Sequence, residues 1–202
     1  MGESNPENVE EIFVPEGGET ARPADVGPAI DKKAQSPLAI NFLEPTEKTV
    51  AVLKKLNAHI FPVSYQEKFY ADCLACMPYT CMALYSDFVI GAICCRFEKV
   101  PDPTKLRLYI MTLGVFAPYR RRGVGAKLLA HTMNLAKEDP KVDEVYLHVQ
   151  VNNYEAMEFY KAFGFELKET IKNYYRKIDP PDCHVYTRSV HDWVAPEGTV
   201  QD

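Results

Sequence analysis

The stretch FAPYRRRGVGAKLL (residues 116–129) joins three consecutive arginines to two closely spaced glycines and then continues in an apolar pattern of helical period. A helix that begins here presents unpaired backbone N–H groups and about half a positive charge at its N-terminus. Gly123 and Gly125 let that backbone approach a ligand with no side chain in the way. The stretch therefore predicts a phosphate-binding helix start. A solvated basic turn, with glycines that serve packing alone, remains the alternative.

Strand patterns lie on both sides of this stretch. KLRLYIMTLGV (105–115) precedes it, the helix runs to about Lys137, and VDEVYLHVQV (142–151) follows. A strand–helix–strand crossover within one sheet is right-handed and makes the two strands parallel. Ligands of such sheets bind beyond the carboxyl ends of the strands, facing the helix N-terminus. We therefore expect an α/β fold with the phosphate site at that end of the parallel pair.

Further elements complete the predicted domain. Before the crossover we expect a first strand, two helices and a hairpin, in LAINFLEP (38–45), TEKTVAVLKKLNAHIF (46–61), QEKFYADCLACM (66–77), YTCMALYS (79–86) and FVIGAICCRFEKV (88–100). Thr46 is the expected N-cap of the first helix, and Ser86 with Asp87 forms the expected hairpin turn. After the crossover we expect a helix and two strands, in NYEAMEFYKAFG (153–164), which Gly164 ends, FELKETI (165–171) and CHVYTRSV (183–190).

Composition and charge bound the function class. The 202 residues are 47% hydrophobic and 25% charged, which is typical of a single soluble domain, and the longest apolar runs are too short for a membrane span. Residues 1–36 carry eight acidic and three basic side chains, whereas the remainder is balanced. We expect a disordered acidic extension (1–36), one folded domain (37–191) and a flexible C-terminal tail (192–202). The balance argues against direct nucleic-acid binding.

Cysteine usage indicates the compartment and argues against a metal site. Six cysteines lie in apolar stretches without the spacing of a disulfide scaffold, so we expect them to be reduced and mostly buried. Cys73 and Cys76 form C-x-x-C, but no second ligand pair follows at zinc-site spacing, and no metal is expected. The start of the chain lacks the basic and apolar regions of a secretory signal. We expect a cytoplasmic protein, with the nucleus left open.

Other nucleotide-binding motifs do not fit the glycine stretch. There is no Walker sequence, and Leu128 occupies the third glycine position of a dinucleotide fingerprint. Arg120-x-x-Gly123-x-Gly125 instead resembles the R/Q-x-x-G-x-G/A signature of the GNAT superfamily of acetyltransferases. Within it, IFPVSY, RLYIMTLGVFAPYRRRGVG, YLHVQVNN, FYKAFGFE and KNYYRKIDPPDCHV resemble the catalytic subunits of NatE-type N-terminal acetyltransferases. The resemblance covers roughly residues 38–190.

The resemblance implies a GNAT fold, with a mixed sheet whose parallel strands splay around acetyl-CoA and helices on its flanks. It also places Tyr109 and His148 as the pair that removes a proton from the substrate amine through water. From the residues alone, a polar side chain in a strand buried on both faces needs an explanation. A core histidine hydrogen-bonded to a backbone carbonyl is the alternative for His148.

The resemblance further implies the acetyl-CoA contacts. The expected coenzyme-binding residues are Met111, Leu113, Gly114, Val115, Arg120, Arg121, Arg122, Gly123, Val124, Gly125, Ala126, Asn153 and Tyr160. Backbone donors near Met111 to Gly114 are expected to stabilise the developing oxyanion, and the Tyr160 hydroxyl to protonate the departing thiolate. Core packing is the alternative for Tyr160.

A peptide cleft follows from the same resemblance. The expected substrate-binding residues are Phe61, Pro62, Val63, Tyr65, Met111, Tyr174, Tyr175 and Ile178. An apolar pocket of this kind suits a retained N-terminal Met followed by a hydrophobic residue. The expected partners are therefore protein or nascent-peptide N-termini, together with subunits of a ribosome-associated acetyltransferase complex. Lysine acetylation, or a largely inactive subunit of such a complex, remains the alternative function.

Overall fold

The computed structural model describes residues 38–61, 63–176 and 178–199, so the predicted extension at residues 1–36 lies outside the described part of the chain. Within that part, strands and helices follow one another as β1 (Asn41–Leu43), α1 (Val50–Ile60), α2 (Glu67–Ala75), β2 (Cys81–Tyr85), β3 (Phe88–Lys99), β4 (Leu106–Val115), α3 (Val124–Glu138), β5 (Val142–Gln150), α4 (Tyr154–Ala162), β6 (Glu166–Ile171) and β7 (Cys183–Ser189). Each predicted element is present, and only the ends differ by a few residues.

The start of α1 is the clearest of these differences. Thr46 was the expected N-cap, but the helix begins at Val50, after Thr49. The backbone N–H of Thr49 does bind Oγ1 of Thr46 at 3.3 Å, and the N–H of Val50 binds the carbonyl of Thr46 at 2.8 Å. Thr46 therefore stabilises a turn that immediately precedes the helix, which explains why the sequence at Thr46 resembles a helix N-cap.

The seven strands form one mixed sheet in the order β1-β2-β3-β4-β5-β7-β6. The β2–β3 hairpin turns at Ser86 and Asp87, whose φ values of 48° and 67° are those of the two-residue turn that the sequence predicts. Strands β4 and β5 are parallel, as the crossover requires, and pair from Leu106 to Ile110. The predicted α/β class and the parallel pair are confirmed.

Two apolar clusters cover opposite faces of the sheet. Helix α3 contributes Leu128, Leu129 and Met133 to the larger cluster, which also holds Leu108 and Ile110 of β4. Helices α1 and α2 form the second cluster, in which Leu53, Leu56 and Phe69 pack against Met82, Ala92 and Cys94. Helix α3 therefore covers one face of the parallel pair, whereas helices α1 and α2 cover the other face of the sheet mainly at β2 and β3.

A β-bulge interrupts β4 at Met111. Cys94 of β3 pairs with Thr112 and Cys95 pairs with Ile110, so Met111 is the extra residue of the ladder. Met111 packs into the α1–α2 cluster, whereas Leu113 packs into the α3 cluster on the other face. Because a bulge inserts one residue and bends its strand, it changes which side chains of β4 face each helix layer.

The packed domain extends beyond the predicted boundary at residue 191. Trp193, assigned to a flexible tail, is 1% exposed, and its indole N–H donates to Oδ1 of Asn134 at 2.7 Å. Its ring stacks on Phe163 at 6.3 Å between centroids. The sequence predicts the end of the domain too early because Trp193 is a single large apolar side chain in a largely polar stretch.

The cysteine prediction is confirmed, since all six cysteines are free and buried. None of the described helices combines the length and the apolar character that a membrane span needs.

Candidate active site

The parallel strands part at one end of the sheet. Pairing between β4 and β5 stops at Ile110 and Leu147, after which β4 stays paired with β3 up to Val115, and β5 stays paired with β7 up to Gln150. The bulge at Met111 lies at this point of separation. The result is an opening between the two strand ends, and helix α3 starts beside it.

The arginine–glycine loop leads into α3 at this opening. Gly123 is the N-cap and has a φ of 77°, a left-handed conformation that favours glycine. A Cβ added at Gly123 would have no atom within 4 Å. Among the described residues, no side chain caps the helix start. The first N–H groups of α3 therefore fit an anionic group such as the pyrophosphate of acetyl-CoA, and Gly123 leaves space beside them.

Arg120 and Arg121 each contact another segment of the protein. Nε of Arg120 donates to the carbonyl of Val115 at 2.9 Å, which holds this side chain against the end of β4. Arg121 has φ of 59° and lies 3.7 Å from Glu155 at the start of α4. Both side chains of that ion pair are more than three-quarters exposed, so the pair itself contributes little stability. Their proposed contact with phosphate oxygens stays a prediction.

The other predicted coenzyme residues line the same region. Gly114 and Val124 are buried, whereas Leu113, Val115, Arg122, Gly125 and Ala126 are half-buried. A Cβ on Gly125 would meet only ordinary contacts of 3.9 Å with Phe159 and Val115. The protein therefore does not itself require glycine at 125, and a close ligand remains the predicted reason for it.

Asn153 and Tyr160 of α4 already have structural roles. Oδ1 of Asn153 accepts the N–H of Ala156 at 3.1 Å and so caps the helix. Tyr160 is 8% exposed within the α3 cluster, and burial raises the pKa of its hydroxyl, which therefore remains a proton donor at neutral pH. Core packing explains the ring of Tyr160, and its contact with the coenzyme stays a prediction.

Tyr109 and His148 meet across the parallel pair. The hydroxyl of Tyr109 lies 3.1 Å from Nδ1 of His148, and the two rings pack edge to face. The residue directly opposite Tyr109 in the register is Tyr146, two positions before His148. Nδ1 of His148 therefore contacts a side-chain hydroxyl and not the backbone carbonyl that the alternative of a core histidine predicts.

The surroundings keep His148 neutral. Burial is the main cause that lowers the pKa of His148 to about 4; Glu98 opposes this shift, and the charges of Arg107 and Arg96 add to it. Burial, followed by the charges and hydrogen bond of neighbouring tyrosines, raises the pKa of Tyr109 well above its usual value. At neutral pH the pair therefore consists of an uncharged imidazole and an uncharged phenol, and the imidazole is the group able to accept a proton.

An aromatic wall rises over this pair from the segment between β6 and β7. The ring of Tyr174 stacks on His148 with centroids 4.6 Å apart, and Tyr175 packs edge to face on Tyr174 at 4.9 Å. The N–H of Tyr175 donates to the carbonyl of Pro181 at 2.8 Å, which fixes the segment. Ile178, in the same segment, is half-buried. Tyr174 therefore joins the predicted substrate cleft directly to the predicted base.

The opposite wall comes from the end of α1. Phe61 and Tyr65 pack edge to face at 6.2 Å, and Tyr65 stacks on Phe69 of α2 at 4.2 Å. A Cβ on Gly114 would lie 2.7 Å from Cζ of Phe61 and 2.8 Å from Cγ2 of Ile60. The absence of a side chain at Gly114 thus lets the Phe61 ring lie against the backbone of β4. Val63 is half-buried, and Pro62 lies outside the described residues.

Sequence reasoning missed a polar cluster on the same sheet face. The guanidinium of Arg107 lies 3.8 Å from the ring centroid of Tyr146, and its Nε lies 3.4 Å from Glu144. Arg96 pairs with Glu98 at 2.7 Å, and the Tyr146 hydroxyl donates to Glu98. Strand alternation placed Arg107, Tyr109 and Tyr146 on one face, and that was the available signal.

This cluster lines a cavity of about 210 Å³ that also reaches Tyr109 and His148. Among the residues that the structure describes, no group of three or more histidine, cysteine or acidic side chains could hold a metal ion.

Comparisons with known proteins agree with this arrangement. The sequence profile described as "Acetyltransferase (GNAT) family" matches residues 49–165. The chain is 47% identical over 157 residues to N-alpha-acetyltransferase 50 of Danio rerio, with 78% of this chain and 92% of that protein aligned. It is 45% identical over 152 residues to the probable N-acetyltransferase san of Drosophila melanogaster, with 75% and 82% aligned.

A solved structure shows the same similarity. Arabidopsis thaliana Naa50 in complex with the bisubstrate analogue CoA-Ac-MVNAL is 45% identical, with a TM-score of 0.71. The alignment covers 75% of this chain and 99% of that one.

Proposed function

This chain belongs to the GNAT acetyltransferase family, and from that membership we propose that it transfers the acetyl group of acetyl-CoA to the α-amino group of protein N-termini. The observation that carries the proposal is the contact of 3.1 Å between Tyr109 and His148 at the separation of the parallel strands. It lies between a helix start suited to pyrophosphate and an aromatic cleft suited to a chain end. Two N-alpha-acetyltransferase 50 relatives at 45–47% identity support the same activity.

Acetyl-CoA supplies the thioester that is attacked, and the residues of this chain position it. The N–H groups at the start of α3 and the loop around Gly123 hold the pyrophosphate. The bulge at Met111 sets a backbone segment of β4 apart from its ladder beside the opening. Its N–H groups are suited to stabilise the negative charge that develops on the carbonyl oxygen during attack.

The base system prepares the amine. A free α-amino group has a pKa of about 8, so most of it is protonated at neutral pH and cannot attack. His148, which is neutral above a pKa of about 4, accepts the proton with the help of Tyr109 and a bridging water. The apolar walls lower the pKa of the bound amine by desolvation, which makes this transfer less uphill.

Direct attack then forms the amide without a covalent enzyme intermediate. As the thiolate leaves, the buried Tyr160 hydroxyl is a suitable donor for it, and the second proton lost by the attacking nitrogen returns through water to Tyr160. One proton per turnover therefore reaches the thiol, and the proton removed first from the ammonium is released to solvent.

For the substrate we propose a retained N-terminal Met followed by a hydrophobic residue. Phe61, Val63 and Ile178 present apolar surface to the first side chain, and Met111 closes the pocket from β4. The stacked pair of His148 and Tyr174 narrows the cleft beside the base. A narrow apolar cleft favours a flexible apolar first side chain over an acidic one.

The test is turnover by the purified full chain with acetyl-CoA and three peptides. One peptide begins with Met-Leu, one begins with Ser-Glu, and one has a blocked N-terminus and an internal lysine. We expect kcat/KM to be highest for Met-Leu by about 100-fold, which corresponds to about 2.7 kcal/mol of selection. Preference for the lysine peptide would assign side-chain acetylation, and turnover of none, with acetyl-CoA bound in calorimetry, would indicate an inactive subunit.

A further inference from the structure

The cavity beside the base pair has several polar and charged side chains in its lining and no role in the steps above. Its volume is about 210 Å³, and it connects Tyr109 and His148 with Tyr146, Arg96, Glu98 and Arg107. A polar cavity of this size holds several waters, since each water takes about 30 Å³ in the liquid. It also reaches Glu169, an exposed residue of β6, so it leads from the base pair to solvent.

Tyr146 connects the two ends of this cavity. Its ring stacks on Tyr109 with centroids 4.8 Å apart and meets His148 edge to face at 5.7 Å. Its hydroxyl donates to Oε2 of Glu98. Burial and the hydrogen bond to Glu98 raise the pKa of Tyr146, so its hydroxyl keeps a proton at neutral pH. A hydroxyl that donates to a carboxylate can pass its own proton on while it accepts another.

The proposed reaction needs such a route. Burial disfavours the imidazolium form of His148, so the proton taken from the amine has to leave before the next turnover. The peptide and acetyl-CoA cover the opposite side of the pair during the reaction. The cavity offers the proton an opening that reaches both His148 and solvent.

We propose that Glu98 is the proton exit of the active site, which receives the amine proton from His148 through cavity water and the Tyr146 hydroxyl. The inference rests on the proposed acetyl transfer. In each turnover, water carries the proton from the imidazole to the Tyr146 oxygen while the Tyr146 proton moves to Oε2 of Glu98. Glu98 then releases that proton to solvent, so the imidazole, the phenol and the carboxylate all return to their initial states.

The charges around Glu98 suit a temporary acceptor. The groups that face it are Arg96 on its own strand, Arg107 on β4, Tyr146 and His148 on β5, and Glu169 on β6. Arg96 pairs with the carboxylate at 2.7 Å and so holds it beside the Tyr146 hydroxyl. The Glu98 side chain is 29% exposed, which permits exchange with bulk water.

The test compares Glu98→Gln and Tyr146→Phe with the wild-type chain, using acetyl-CoA and the Met-Leu peptide. Both variants keep the shape of the site but interrupt the relay. We expect kcat at pH 7 to fall about tenfold, with peptide KM and acetyl-CoA affinity unchanged, as for loss of part of a general acid–base contribution. Added imidazole buffer should restore most of the loss, since a small base in the cavity replaces the exit. The double variant should be no slower than either single one.

Glu144→Gln is the matched control. Glu144 pairs with Arg107 and Lys168 rather than with Tyr146, so this change removes an equal charge from the same cluster and leaves the relay intact. Its kcat should stay within about twofold of wild type. An unchanged kcat in Glu98→Gln, a deficit that buffer does not restore, or the same deficit in Glu144→Gln overturns the exit. A raised peptide KM at unchanged kcat would instead assign Glu98 to peptide binding. Failure of the wild-type chain to acetylate any peptide refutes the proposed function itself.

Discussion

Tyr109 and His148 lie diagonally across the last paired rungs of β4 and β5, with the Tyr109 hydroxyl 3.1 Å from Nδ1 of His148. The strands separate immediately beyond them, so the pair is both held by the sheet and open to a ligand. This combination of rigid support and access is what a positioned base needs, since a misplacement of about 1 Å can reduce a rate 100-fold.

Replacing His148 should therefore reduce turnover without affecting the coenzyme. His148→Ala is expected to lower kcat about 100-fold at pH 7, because it removes the group that accepts the amine proton. The acetyl-CoA Kd, measured by calorimetry, should stay the same. His184→Ala is the matched control, since His184 lies on β7 outside the site, where its Nδ1 is hydrogen-bonded to the hydroxyl of Thr170 on β6. Wild-type turnover in His148→Ala would refute its assignment as the base.

Stability should depend on His148 as the pH falls. The folded pKa is about 4 and the unfolded value about 6.5, so the unfolded chain binds the proton more tightly between these values. The free energy of unfolding therefore decreases as the pH falls from about 6.5 to 4, by on the order of 3 kcal/mol from this group. His148→Asn should lose stability less steeply over that range in urea titrations. Equal slopes for the two chains would mean that His148 is not desolvated.

The effect of Gly123 on acetyl-CoA binding can be distinguished from the effect of its left-handed backbone on stability. Gly123 and Gly198 have φ values of 77° and 75°, and a Cβ at either position meets no atom within 4 Å. Alanine at each should cost a similar 1–2 kcal/mol of stability, because the left-handed conformation is unfavourable. Only Gly123→Ala should weaken acetyl-CoA binding, by about tenfold or 1.4 kcal/mol. Equal affinities in the two variants would remove Gly123 from the coenzyme site.

Substitutions at Gly114 and Phe61 should have coupled effects on the free energy of unfolding. Gly114→Ala places a Cβ within 2.7 Å of the Phe61 ring, so the ring has to move and we expect a cost of about 1–3 kcal/mol. Peptide KM should rise, because this ring lines the cleft. Phe61→Leu should relieve part of the cost, and a double-mutant cycle of unfolding free energies measures that relief. Additive effects would show that the two residues do not contact.

Trp193 should stabilise the domain although it lies near the C-terminus. Its indole is 1% exposed and hydrogen-bonded to Asn134, so Trp193→Ala is expected to cost about 3–5 kcal/mol in denaturant unfolding. The neighbouring Val194 is 76% exposed, and Val194→Ala should stay within about 0.5 kcal/mol of wild type. A small effect of Trp193→Ala would support the shorter domain that the sequence indicated.

Local patterns in the sequence were sufficient for much of the fold. Hydrophobic period placed all the helices and strands of the described chain within a few residues, and the crossover rule made β4 and β5 parallel. The hairpin turn at Ser86 and Asp87 follows from the residues at those positions and the strand patterns on either side. The resemblance drawn from the Arg120–Gly125 motif and the surrounding segments led to the GNAT family, which the comparisons confirm.

The remaining features depend on how separate segments meet. The bulge at Met111 reverses the facing of the residues after it, and only the pairing with β3 decides where that happens. Glu98, Arg107 and Tyr146 come from three strands, so register is needed to bring them together. Trp193 is buried because Asn134 accepts its indole N–H and Phe163 stacks on its ring. A sequence encodes local preference directly, whereas contacts between distant segments depend on the packing of the whole domain, which no short window contains.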